Sequence, residues 1–129
     1  MKNQVFISYS RSDYPYAYKL VESLKHHKVS GWMDSADISA GSATASGVRS
    51  ALQGSKAMVV LVSPASLDDR WVNFELGAAI GQDLPIIPII VGGDGVESEM
   101  PEWLRENELL DARNTPMDAV AAEVEKALG

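Results

Sequence analysis

Five short apolar segments, separated by segments with helical spacing, are the feature that most constrains the fold of this chain. The apolar segments read as nearly continuous runs rather than as alternating polar and apolar residues, which is typical of parallel strands buried on both faces. Helices that connect such strands cover the two faces of the sheet. We therefore predict an α/β fold with about five parallel strands, at residues 5–7, 29–33, 57–62, 84–91 and 109–111.

Amphipathic spacing predicts the helices between these strands, at residues 14–27, 48–54, 71–81, 102–106 and 117–128. The fourth strand carries Pro88, which lacks a backbone donor and would normally place a strand at a sheet edge or a bulge. Right-handed crossovers and a flavodoxin-like strand order of 2-1-3-4-5 give three layers, with helices on both faces. Ligands are then expected at the carboxyl ends of the first and third strands, beside the long loop at 34–46.

One predicted helix carries a carboxylate among apolar residues. Trp71 and Glu75 lie four positions apart on one face, next to an apolar stripe of Val72, Leu76 and Ala79. An indole and a carboxylate side by side suit a flat, partly cationic ligand. In the alternative interpretation, Trp71 caps the core and Glu75 is a solvated helix residue. In either case we expect position 75 to face the surface, so that Glu75→Ala would leave folding nearly intact.

Length, charge and residue usage exclude several classes of function. A chain of 129 residues fits one domain, and the absence of cysteine excludes disulfides and thiolate chemistry. The adjacent His26 and His27 suit a helix end better than a metal site, and we predict no metal. A net charge of −7 argues against nucleic acid or an anionic membrane as partner. The apolar runs are too short for a membrane helix and the start lacks a signal peptide, which favours a cytoplasmic protein.

Several motifs that occur on similar sheets are missing from this one. The third strand ends at Ser63 and Pro64 where a response-regulator receiver would need a phosphorylatable aspartate. The sequence has no dinucleotide-binding glycine fingerprint, no P-loop and no hydrolase nucleophile elbow. Topology nevertheless brings Tyr9, Arg11, Trp71 and Glu75 toward one crevice, which makes this crevice the candidate site.

Residues 6–13, 32–34 with 37–41, 62–66, 71–76 and 87–89 carry a resemblance to a known family. On these segments the chain resembles a single TIR (Toll/interleukin-1 receptor-like) domain over nearly all of residues 1–129, and it is most similar to the bacterial branch. Residues 6–13 resemble the first box of the family, and residues 32–34 with 37–41 resemble the strand that enters its BB loop. Residues 62–66 and the W-x-x-x-E helix at 71–76 resemble the third-strand region, and residues 87–89, with Pro88, the fourth strand.

The resemblance implies an NAD+ glycohydrolase that cleaves the bond between nicotinamide and ribose, with NAD+ as substrate and no cofactor. Glu75 falls on the catalytic glutamate of the family and would stabilise positive charge on the ribose carbon, bond to the sugar or orient its hydroxyls. The product would be ADP-ribose or a cyclic isomer. The implied substrate-binding residues are Tyr9, Ser10, Arg11, Trp71, Asp34 and Asp37, with Trp71 against the nicotinamide or ribose and Arg11 near the pyrophosphate.

The resemblance also implies self-association, in which the BB loop at 34–46 helps to complete the site of a neighbouring subunit. Here that loop carries Ala40 and Gly41 in place of a frequent Pro-Gly pair. An NAD-cleaving enzyme of bacterial antiphage immunity is the first hypothesis. The alternatives are a non-enzymatic TIR adaptor, an enzyme acting on another N-glycosidic bond such as a nucleoside deoxyribosyltransferase, and a secreted effector that interferes with host signalling.

Overall fold

The sheet has five parallel strands in the order β2-β1-β3-β4-β5, which confirms the predicted fold class and strand order. The computed structural model describes residues 3–33 and 45–129 of the chain. The longest strand, β3, is the one with the strongest apolar signal and keeps its predicted bounds. The strands are β1 (Gln4–Ser8), β2 (Ser30–Met33), β3 (Ala57–Val62), β4 (Ile86–Ile90) and β5 (Leu110–Asp111).

Six α-helices are present among the described residues, and five of them correspond to predicted helices. The sixth, α3, is a single turn after β3 that begins because Ser63 and Ser66 cap each other, with each side-chain hydroxyl accepting the other residue's backbone N–H. None of the described helices is both apolar enough and long enough to cross a bilayer. The helices are α1 (Tyr14–His26), α2 (Ala45–Gln53), α3 (Pro64–Leu67), α4 (Arg70–Gly81), α5 (Glu102–Arg105) and α6 (Met117–Ala127).

Side chains of the sheet alternate between two buried clusters, one on each face. Val5 and Ile7 of β1 pack with α1 and α6, whereas Phe6 packs with α2 and α4. The same alternation continues in β3, where Val59 and Val60 belong to different clusters. The fold therefore has the predicted three layers, and successive side chains along a strand contact helices of opposite layers.

Pro88 does not place its strand at a sheet edge, because β4 lies between β3 and β5, as the predicted strand order requires. The backbone of Met58 donates to Pro85, and that of Val91 donates to Val62. Along a strand between two parallel neighbours, successive residues direct their backbone groups alternately to one neighbour and to the other. The odd-numbered residues of β4 therefore bond to β3, and the backbone of Pro88 faces β5. Pairing with β5 begins only at Ile89. The missing donor of Pro88 therefore falls before the first paired residue of β5.

An arginine fixes the loop that follows β4. Arg113 Nη1 donates to the Gly93 carbonyl at 2.7 Å, while its Nη2 donates to Glu97 at 2.7 Å and to Asp111 at 2.9 Å. Gly93 itself has φ +98°, and an added Cβ would lie 2.8 Å from the Pro64 ring. These contacts hold residues 93–97 against α3 and the end of β5.

We expect Arg113→Gln to lower the melting temperature at pH 7, with a smaller difference in acid. The guanidinium lowers the pKa of both Asp111 and Glu97 through its hydrogen bonds. The two carboxylates therefore stabilise the folded state fully above the ordinary carboxyl pKa of about 4. This stabilisation is lost as the pH falls through their lowered pKa values in the folded state. Thermal unfolding from pH 7 to pH 3 measures the effect, with Arg105→Gln on the exposed side of α5 as control. A difference independent of pH would contradict it.

Candidate active site

Glu75 is almost completely buried, with 1% of its surface exposed. The expectation that it faces the surface is wrong, because Val72, Glu75, Leu76 and Ala79 recur at helical spacing and form one buried face of α4. α4 begins where Asp69 caps it, its carboxylate accepting the backbone N–H groups of Trp71 and Val72. The carboxylate at position 75 therefore points into the protein beside the sheet.

Ser8 meets this carboxylate. Its hydroxyl donates to Glu75 Oε1 at 2.7 Å, and Ser8 is fully buried. Ser8 is the last residue of β1, and strand alternation puts it on the same face as Phe6, toward α4. The predicted site residues include the three that follow Ser8 but not Ser8 itself. Continuing the period-2 alternation from Phe6 would have identified it.

Trp71 lies one turn before Glu75 and is partly buried against the cluster on this face of the sheet. Its indole stacks on Phe74, with ring centroids 5.0 Å apart and an interplanar angle of 26°. Phe74 is exposed. The helix thus presents an aromatic pair at the surface and a carboxylate in the interior, close together along one element.

The predicted residues after β1 take different positions. The Tyr9 ring packs in the cluster with α1, on the face of the sheet opposite Glu75, and lies 6.3 Å from the Tyr14 ring. Ser10 is buried, whereas Arg11 is exposed at the start of a 3₁₀ turn, Arg11–Asp13. Asp34 and Asp37 lie outside the described residues, as does the rest of the predicted loop as far as residue 44.

A second buried hydroxyl and carboxylate meet at the same edge of the sheet. Ser63, which follows β3, donates to Asp13 Oδ2 at 2.5 Å, and both residues are buried. The segment 9–12 is therefore fixed at both ends, by Ser8 at Glu75 and by Asp13 at Ser63. The sequence places the loop at 8–13 beside the crevice but predicts no role for the Asp13 side chain, because an aspartate before a helix usually reads as a cap. Asp13 makes no side-chain cap bond to α1.

Two open spaces on the described surface lie away from the pair of Ser8 and Glu75. A cavity of about 310 Å³ lies at the amino ends of β3 and β4, between Lys56, Pro85 and Leu128. A wider groove of about 590 Å³ runs along the outer side of α4, from Arg49 to Phe74 and Gly81. The first of these is at the edge of the sheet opposite the pair of Ser8 and Glu75. The candidate site is defined by its charged group and its place in the topology.

The chain matches the family model of the TIR domain over residues 5–128. The Stimulator of interferon genes protein of Magallana gigas is 30% identical over 106 residues, which are 78% of this chain and 25% of that protein. The chain thus spans about a quarter of the length of this curated relative.

Solved structures share the fold. The TIR domain of the Toll-related receptor TRR-2 from Hydra magnipapillata has a TM-score of 0.77 and 22% identity, covering 96% of both chains. A metazoan TIR-STING receptor from C. gigas, in complex with 2',3'-cGAMP, has a TM-score of 0.75 and 23% identity over 96% of this chain and 38% of that one. The TIR domains of the activated Roq1 resistosome reach 0.60 and 20%, over 97% and 71%. Since the family model spans nearly the whole sequence, this chain belongs to the TIR domain family.

Proposed function

We propose that this TIR domain is an NAD+ glycohydrolase that releases nicotinamide and forms ADP-ribose or a cyclic isomer. The observation that carries the proposal is the Glu75 carboxylate, which is buried and held by Ser8 at the carboxyl end of a central strand. Carboxylates are rarely buried so fully, and ligands of doubly wound sheets bind at this edge. A buried acid beside the expected ligand crevice is a marker of a functional site.

Cleavage of the bond between nicotinamide and ribose requires mainly that the protein stabilise developing positive charge. Nicotinamide is cationic while attached to ribose, so the electron pair of the breaking bond neutralises the ring nitrogen and no general acid is needed. Positive charge then develops on the ribose carbon, and the Glu75 carboxylate stabilises it. It acts electrostatically or by forming a transient bond to the sugar, as in retaining glycosidases. Water then forms the new bond to the ribose carbon and gives ADP-ribose, or a hydroxyl or ring nitrogen of the ADP-ribosyl group forms it and gives a cyclic isomer. The attacking group loses a proton in either case.

Some of the remaining predicted residues contact the substrate, and others support the segment that carries them. Trp71 offers its ring to the nicotinamide or ribose, and the exposed Arg11 offers a guanidinium to the pyrophosphate. Tyr9 and Ser10 are buried and shape the segment that carries Arg11. We propose that Asp34 and Asp37, which lie outside the described residues, also contact the substrate.

We further assign the activity to an assembled form in the cytoplasm. The loop at 34–46 of one copy would complete the site of the next, which makes the rate depend on protein concentration. The similarity to receptors and to the TIR domains of an activated resistosome that recognises a pathogen effector supports a role in immune signalling. A bacterial, antiphage setting is the form of this role that the first box and the W-x-x-x-E helix favour.

A non-enzymatic adaptor is the second candidate function. The exposed tyrosines of α1, Tyr14, Tyr16 and Tyr18, favour it, because exposed aromatic side chains are enriched at protein interfaces. An adaptor would use such a surface for pairing and would need no carboxylate at position 75.

Incubation of concentrated protein with NAD+ and a crowding agent, followed by chromatography, tests the proposal. We expect release of nicotinamide, and the companion peak distinguishes linear from cyclic ADP-ribose. Light scattering on the same samples shows whether the protein has assembled. Assembled protein that releases no nicotinamide would favour the adaptor. Cleavage of nucleosides tested in parallel, without cleavage of NAD+, would indicate a nucleoside-acting enzyme instead.

A further inference from the structure

We infer that Ser8 is a positioning residue for Glu75, and that its hydroxyl holds the carboxylate in the orientation that the reaction requires. The inference rests on the proposed function and deepens it. A polar side chain at the end of β1, 67 positions from Glu75 in sequence, is thus the group that fixes the carboxylate relative to the sheet.

The geometry is that of a strong hydrogen bond on a rigid support. The donor and acceptor oxygens are 2.7 Å apart, a length typical of a hydroxyl bonded to a carboxylate. Ser8 pairs in register with Val60 of β3, within the central strands of the sheet. A glutamate side chain has three rotatable bonds, and a fixed donor at its end selects one arrangement of them. Ser8 thus transfers the rigidity of the sheet to the carboxylate.

Another buried serine, Ser55, shows how this role differs from that of a hydroxyl that only completes its hydrogen bonds within the fold. Ser55 donates to the Ala51 carbonyl at 2.8 Å and accepts from Gln4 at 3.0 Å. Its partners are a helix carbonyl and a side-chain amide, at the amino edge of the sheet. Ser8 instead commits its single proton to an acid at the edge where ligands bind. Loss of the Ser55 hydroxyl should affect stability, whereas loss of the Ser8 hydroxyl should affect turnover.

Three substitutions at one position test the inference. Ser8→Ala removes the hydroxyl, and we expect kcat to fall about 10- to 100-fold while KM and the NAD+ dissociation constant change less than about twofold. Ser8→Cys keeps the volume but supplies only a weak donor, so its kcat should fall as in Ser8→Ala. Ser8→Thr keeps the hydroxyl and suits a strand, so it should recover most of the lost rate.

Each outcome decides between roles. A Ser8→Cys variant with wild-type kcat would mean that Ser8 fills space, and would overturn the inference. So would a higher KM at unchanged kcat, or a Ser55→Ala control with the same loss of kcat as Ser8→Ala. If Ser8→Thr does not fold, as judged by circular dichroism, the comparison of Cys with Ala still decides. An active wild type with a fully active Ser8→Ala overturns only this inference, whereas an assembled wild type that releases no nicotinamide overturns the proposed function and the inference with it.

Discussion

Glu75→Gln is expected to reduce nicotinamide release at least about 100-fold, to the background of the assay. Glutamine has nearly the same shape, and its amide oxygen can still accept the Ser8 hydrogen bond. What it loses is the negative charge opposite the developing cation. The measurement is the initial rate of nicotinamide release by assembled protein at saturating NAD+, with wild type and variant at equal concentration.

Glutamine is a better substitution here than alanine. Because Glu75 is 1% exposed, alanine would leave a space in the protein, and a loss of activity could then reflect a loss of structure. Glu106→Gln, the same change at an exposed helix end, controls for the substitution itself and should behave as wild type. A Glu75→Gln protein that assembles normally, melts no earlier than wild type and still cleaves NAD+ would refute the catalytic role.

Ile89→Ala is expected to lower the free energy of unfolding by about 2–5 kcal/mol, the largest stability effect predicted for this chain. Ile89 is fully buried in β4, in register with Leu61 of β3 and Leu110 of β5. Truncation removes apolar contacts and leaves a cavity between the sheet and the helices that cover it. The loss is a large share of the roughly 5–15 kcal/mol that stabilise a domain of this kind.

Urea unfolding, with thermal melting as a second probe, measures this loss. The matched control is Ile80→Ala, because Ile80 is 49% exposed on α4 and alanine suits a helix. We expect the control to change stability by less than about 1 kcal/mol, and the core variant to melt roughly 10 °C lower. Equal effects at the two positions would mean that β4 does not contribute to the core as described.

Sequence patterns predicted most of the fold because parallel strands buried on both faces are almost wholly apolar. Strand β3 has its predicted bounds, and α6 ends within one residue of its prediction. Strand β4 is shorter than predicted at its start, because the Leu84 N–H bonds back to Ala79 and completes the end of α4. Composition does not distinguish that apolar residue from a strand residue. The short α3 was missed because its capping serines also fit a loop.

The candidate site was less predictable than the fold. Helical spacing places Trp71 and Glu75 near each other, yet a carboxylate next to an apolar stripe predicts a position that faces solvent. Whether such a group is buried depends on what the facing strand provides, here Ser8 of β1. Contacts between residues so distant in sequence follow from the register of the sheet. Tyr9 shows the same dependence on register. It directly follows Ser8, and because successive side chains point to opposite faces of the sheet, its ring lies in the layer opposite Glu75.

The burial of Glu75 has an evolutionary consequence. An ionisable group in the interior costs folding free energy, and a leucine or methionine at the same place on α4 would extend the apolar face already formed by Val72, Leu76 and Ala79. Selection for stability alone would therefore favour the apolar residue. Under the proposed function, a lineage that lost the chemistry and kept only a pairing role would be under pressure to replace the acid. The residue at this position in related chains would then indicate whether they retain the proposed activity.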